Sequence, residues 1–271
     1  GLGASSSGVT GHNNYGIGCK SLSLLTSGCF NLAMGPASGE KLSSGKYNIL
    51  FGRNAGCGLT TTLSNIAIGN DSLALNGGAQ NIVMGTYAGR GTGTAADNDA
   101  SYNVALGYYA ATALTDGDNN VVIGNSAGNS LTTGSCNVVI GHEAGKVMGA
   151  GKGNNVILGT MAGMCNTGED NVIIGLYASC SNGDGQNNVI IGKYAGSSNT
   201  SGDCNTFLGN CAGQNNSSGC HNIAIGFGVQ NPSATTNCQM AVGFQTNRWI
   251  TGYNDFSIGG VFKNYAETYS A

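Results

Sequence analysis

A motif of about 17 residues recurs along this chain, and a fixed period of that kind marks a repeat array. No other feature constrains the fold as much. The segments NNVILGTMAG (154–163), DNVIIGLYAS (170–179) and NNVIIGKYAG (187–196) are copies of one another. With each copy numbered from the glycine that ends its apolar run, position zero falls at Gly18, Gly35, Gly52, Gly69, Gly85, Gly107, Gly124, Gly141, Gly159, Gly175, Gly192, Gly209, Gly226, Gly243 and Gly259. The successive gaps between these glycines are 17, 17, 17, 16, 22, 17, 17, 18, 16, 17, 17, 17, 17 and 16. In such an array each unit buries its apolar surface only against its neighbours. The array takes up residues 1–243, and residues 244–271 read as an aromatic-rich last coil with a C-terminal cap or junction.

Position −4 is Asn in thirteen copies, from Asn14 to Asn222, with Gln239 and Asp255 in the last two. Positions −3 to −1 form an apolar triplet such as Val121-Val122-Ile123. Position +3 is small, usually Ala, and Gly is common at +4 and +10. A β-branched triplet bounded by Asn and Gly reads as a short strand. The spacing predicts an all-β parallel solenoid of about 15 coils, each a flattened circuit of two short strands. Coils ~4.8 Å apart give a rod of roughly 70 Å. Stacked Asn side chains at −4 are expected to form an amide ladder, and the glycines at zero and +10 to supply positive φ at the corners.

Composition agrees and excludes other classes. Forty-eight glycines without a three-residue period rule out collagen, and 2 prolines with evenly spaced Val and Ile runs argue against disorder. The net charge of −3 comes from singly scattered residues, so no basic stripe exists for nucleic acid. No apolar run approaches the ~18–20 residues of a membrane span.

Alternation puts −3 and −1 on one face of the strand and −2 on the other. The flanking pair is apolar in nearly every copy and is expected to fill the chain's own interior. The −2 column, Val122, Val139, Ile157, Ile173, Ile190 and Phe207, would then form an apolar stripe on the outside. A lone soluble chain rarely tolerates such a stripe. These side chains are therefore expected to be an oligomer interface, since a strand covered on both faces reads as a continuous apolar run. Position +7 changes from Leu25, Leu42, Leu59, Leu114 and Leu131 to Asn166, Asn182, Asn199 and Asn216, which suggests that a second small core gives way to an Asn ladder.

The repeated N-[VI]-x-[IL]-G-x-x-A motif, from Asn14 to about Gly259, resembles the head repeat of YadA-like trimeric adhesins, also found in bacteriophage tail fibres. The resemblance implies a left-handed β-roll and three chains side by side. The coils here are longer than the usual unit of that family. Ten cysteines are more compatible with a fibre assembled in a reducing host cytoplasm than with an adhesin exported through an oxidising space. The expected function is a structural or adhesive segment of a viral tail or surface fibre involved in host attachment. Its partners would be itself as a homotrimer, other fibre or virion proteins, and a host-surface glycan or protein. The alternatives are the head of a bacterial trimeric autotransporter adhesin, on the bacterial outer surface, and an ice-binding solenoid, for which Thr60-Thr61-Thr62 and Thr132-Thr133 lack a regular register.

Enzymatic chemistry finds little support. GNSAG (124–128) matches a nucleophile elbow, but the same slot reads GRNAG, GTYAG, GHEAG and GNCAG in sister copies, so Ser126 and Cys211 are variable surface positions. His12, His142 and His221 lie in distant coils, and the cysteines lack metal-ligand spacing. No cofactor, metal or catalytic residue is expected. Cys165 with Cys180, and Cys204 with Cys220 and Cys238, could be neighbours across coils, as free thiols or as a disulfide. The long spacing places a protruding loop near 90–101. Arg248, Trp249 and Tyr253 in the aromatic C-terminal region form a possible ligand-binding patch, with a cap as the alternative role.

Overall fold

The computed structural model describes residues 10–93 and 98–252. They form one sheet of fifteen strands in sequence order. Strands β1 (Tyr15–Ile17) to β13 (Ile223–Ile225) each span three residues and pair parallel, in register, with the next coil; β14 (Met240–Phe244) is the last parallel member. Among the described residues the solenoid thus makes about 13 turns of ~17 residues, and it is all-β and parallel as expected. The fifteenth repeat, around Gly259, lies outside the described residues. After β14 the chain turns back, and β15 (Asn247–Gly252) pairs antiparallel to it with a bulge at Val242/Gly243. A reversed strand on the last coil occupies an edge that would otherwise be open for pairing.

Each coil holds one strand, not two. The remainder is turns, yet backbone hydrogen bonds continue from coil to coil through them. Gly35 N–H donates to Ile17 O at 2.7 Å, Ala37 N–H to Cys19 O at 2.8 Å, and Leu22 N–H to Ser38 O at 3.1 Å. The backbone groups of irregular segments thereby find partners, as buried backbone must.

The corners depart from expectation in a systematic way. From Gly18 to Gly226, glycine at zero has φ between +124° (Gly226) and +139° (Gly141). A Cβ on Gly35 would also sit 2.5 Å from Gly52 O of the next coil. The glycines at +10, apart from Gly151 (φ 70°), are not left-handed; they are required because coils approach closely there, a Cβ on Gly185 falling 2.7 Å from Gly202 O. The left-handed conformation belongs to positions −5, +2 and +4. Side-chain-bearing residues adopt it at −5 and +2, for example Tyr47 (φ 60°), Cys136 (φ 60°) and Tyr177 (φ 54°).

The interior is narrow and is filled from three positions. Side chains at −2, from Ala33 to Ala241, are at most 1 % exposed. They meet the small side chains at +3 and the larger ones at +7. A Cβ on Gly56 would be 2.8 Å from both Leu50 and Leu59, so the glycine at +4 leaves the space in which −2 and +7 touch. In several coils size trades between those two columns, although Leu50 and Leu59 are both large. Ala33 at −2 goes with Leu42 at +7, while Ile173, Ile190 and Phe207 go with Asn182, Asn199 and Asn216, all buried. The Leu column does give way to an Asn ladder: Asn199 Nδ2 donates to Asn182 Oδ1 and Asn216 Nδ2 to Asn199 Oδ1, each at 2.9 Å.

The expected oligomer interface is corrected by this geometry. Val122, Val139, Ile157, Ile173, Ile190 and Phe207 are buried inside their own chain, at 0–1 % exposure, and cannot face a partner. The side chains at −3 and −1, expected inside, point outward: Tyr15 is 65 % exposed, Ile17 51 % and Leu208 45 %. The physical reason is parity. The buried Asn at −4 and the side chain at −2 alternate in step, so they share the inner face and the flanking pair takes the other.

Candidate functional site: the outer face of the sheet

The inward Asn column sets the site. Each Asn at −4 uses its oxygen to accept from the next coil, and all but Asn205, whose buried amide has no partner, use the amide to bridge across the turn. Asn48 Oδ1 accepts Asn65 N–H at 3.0 Å, and Asn188 Nδ2 donates to Gly202 O at 2.9 Å. The ladder runs from Asn14 to Gln239 and fixes register, so −3 and −1 of fourteen coils align in two straight outer columns. Within these two columns only Thr206 is polar apart from the Tyr15 hydroxyl, and no member is charged. All are half-buried or exposed in the single chain. At ~4.8 Å per strand the apolar stripe is roughly 60 Å long, a contiguous apolar surface of the kind that monomers rarely expose.

Two corners flank the stripe. The −6/−5 corner before the strand carries stacked rings in the first coils: Phe30 and Tyr47 lie 5.2 Å apart and nearly parallel, with His12 edge-on to Phe30. The +1/+2 corner after it carries Tyr87 stacked on Tyr109, Tyr177 on Tyr194 and Phe227 on Phe244. Arg90 lies over the Tyr87 ring and Lys193 over Tyr194. Here too Lys146 donates to Glu143 at 2.6 Å, and this hydrogen bond is the main reason the Glu143 carboxyl sits below its usual range.

The other sequence-derived candidates are not brought together into sites. Ser126 has its Oγ on Asn125 Oδ1 at 2.9 Å, a contact with a neighbour on its own corner and not with a base. Cys211 Sγ likewise donates to Asn210 Oδ1. Among the described residues no group of three His, Cys, Asp or Glu side chains could hold a metal. Cys165 and Cys180 sit in adjacent coils, joined by a backbone hydrogen bond of 3.2 Å, and Cys238 N–H donates to Cys220 O at 3.0 Å; all ten cysteines are free thiols. In the long coil, Asn98 closes the loop by donating to Leu75 O and Thr92 O at 2.7 Å, with Thr92, Gly93 and Asp99 exposed; residues 94–97 lie outside the description. Trp249 on β15 is 70 % exposed and Arg248 beside it is exposed, while Tyr253 lies outside the described residues.

Sequence reasoning missed the outer columns as the exposed face. The signal was present: −2 includes Gly16, Ala33, Ala67, Ala105, Ala224 and Ala241, sizes that suit a cramped interior, whereas −3 and −1 hold large residues throughout. Comparison of the chain with protein-family models, with curated proteins and with solved structures finds no match to any of them.

Proposed function

We propose that this chain is a structural segment of a viral tail or surface fibre, self-associated as a homotrimer through the outer sheet face and involved in host attachment. The observation that carries the reading is the uncharged apolar stripe of the −3 and −1 columns along the whole stack of coils. Water contact along ~60 Å of Val, Ile, Leu and Met is costly, and burial recovers roughly 25 cal/mol per Å². A straight face with a fixed repeat can be covered along its full length by another straight face of equal pitch, and copies of the same rod supply that pitch. The many unpaired thiols favour a virion component over a bacterial surface adhesin. The exposed loop near Thr92 and the exposed Trp249 are where attachment to a host glycan or protein would be sought, since the stripe itself is occupied by assembly.

The test is the native mass and low-angle scattering of the purified chain. A rod of three chains, falling to monomers when Ile174 is changed to Asp, is the expected result. A compact monomer that stays soluble with its outer face exposed would end the proposal.

A further inference from the structure

A second ladder runs along the −6/−5 corner, and one of its rungs is a thiol. Side chains at −6 reach back to the preceding coil and accept from its backbone. Ser135 Oγ accepts Asp118 N–H at 3.0 Å, and Asp203 Oδ1 accepts Gln186 N–H at 2.8 Å. Cys220 takes the same pose, its Sγ accepting Asp203 N–H at 3.3 Å. That bond holds the thiol of one coil against the backbone of the coil before it, beside Cys204. Cys204 stands at −5 with φ 56° and is exposed, while Cys220 is half-buried.

The spacing suits a covalent bond. Neighbouring coils lie ~4.8 Å apart, and the two cysteines are offset by one residue, ~3.8 Å, so their Cα atoms are about 6 Å apart. A disulfide joins Cα atoms ~4.4–6.8 Å apart. Direction selects this pair over the others. Cys238 lies in the coil after Cys220, on the side opposite to the one the Cys220 thiol addresses. Cys165 and Cys180 also sit in adjacent coils, yet Cys180 Sγ turns to Ser197 O of the following coil, at 3.8 Å, away from Cys165.

The two coils concerned are joined by a reduced Asn rung. Asn205, next to Cys204, has a buried amide without a partner. Between Asn205 and Asn222 the rung is the backbone bond alone, Asn222 N–H to Asn205 Oδ1 at 2.9 Å. Stability in a repeat array is a sum of contacts between neighbouring units, so a deficit at one junction is local, and a cross-link at that junction offsets it.

We infer that Cys204 and Cys220 are a redox-controlled staple between the coils of Gly209 and Gly226, open in a reducing compartment and closed by a low-molecular-weight disulfide such as oxidised glutathione. The exposed Cys204 thiolate attacks one sulfur of the oxidant, forming a mixed disulfide and releasing the first glutathione thiolate. The Cys220 thiolate then attacks the Cys204 sulfur and releases the second. The two protons lost by the cysteines go to the two glutathione thiolates, and two electrons pass from the cysteine pair to the oxidant. The bond closes one full circuit of the solenoid and does not depend on how copies associate.

The experiment incubates the reduced full-length chain, as a mixture of 14N- and 15N-labelled forms, with oxidised glutathione and maps its peptides without reduction. A Cys204–Cys220 link between peptides of the same isotope is expected, with Tm rising by roughly 5 °C or more over the reduced chain. Cys220→Ser keeps the −6 ladder, since Ser135 serves there, and either it or Cys204→Ser should abolish the link and the rise. Cys238→Ser should keep both. A link of Cys220 to Cys238, a link between peptides of different isotope, or a lasting glutathione adduct on Cys204 with no link overturns the pairing. A Cys204–Cys220 link that leaves Tm unchanged overturns the staple.

Discussion

Asn120 Oδ1 accepts two hydrogen bonds from Asn137, one from its backbone N–H at 2.9 Å and one from its side-chain amide at 3.0 Å. The backbone half of the arrangement repeats at every step from Asn31 to Gln239 and the side-chain half at most of them, so each Asn at −4 supports the next rung. Asn120→Ala leaves the buried Asn137 backbone N–H without its acceptor, while the Asn137 side-chain amide keeps Ser135 O and Lys152 O, and one orphaned group costs ~1–3 kcal/mol. The expected loss is about 1–3 kcal/mol on that basis, read as a fall in Tm and as faster amide exchange at the coils of Val121 and Val138. An unchanged exchange pattern would mean the ladder is decorative.

The inner and outer columns respond differently to substitution. Ile173→Ala opens a cavity in an interior with little slack and should destabilise by ~2–5 kcal/mol. Ile174→Asp, at the adjoining outer position, should leave the isolated coil folded but abolish self-association. Circular dichroism melts together with native mass separate the two effects.

Ser179 is the easiest place to improve the fold. It occupies +4 with φ 43°, where most sister coils have Gly, and its buried hydroxyl has no hydrogen-bond partner. Ser179→Gly relieves a left-handed side-chain residue and an unsatisfied polar group together, so stability should rise by about 1–2 kcal/mol. A drop in Tm would show that the hydroxyl is satisfied in solution.

Thiol reactivity should be graded. Burial, with the Asp71 charge as the next cause, pushes the Cys57 thiol above its ordinary range. A raised pKa means less thiolate at a given pH, hence slower alkylation. At mildly alkaline pH iodoacetamide should label exposed Cys19, Cys136, Cys204 and Cys238 first and Cys57 late, with the lag shrinking as pH rises. Peptide mass spectrometry gives the order, and a thiol count of ten before labelling checks that none is oxidised.

The period, the strand positions and the Asn ladder were legible because a repeat averages out local ambiguity: thirteen Asn residues at one offset leave little room for another register. The faces were not legible from polarity, because Val, Ile and Leu stand on both sides of the strand. Parity with the inward Asn decides the matter, and so does the exchange of bulk between Phe207 and Asn216 across the interior, a relation across a turn that no strand pattern contains. The left-handed corners at Tyr47 and Tyr177 were equally hidden, since bulky residues seldom adopt that conformation. Stacking supplies the compensation: Tyr47 packs on Phe30 and Tyr177 on Tyr194.

Because the same bonds join every coil to the next, the molecule has no privileged length. Removing one full unit between two position-zero glycines would shorten the rod by ~4.8 Å and leave both ends and every remaining rung as they were. Reach can therefore be set by duplication or loss of a single genetic module, with no redesign of the parts that stay.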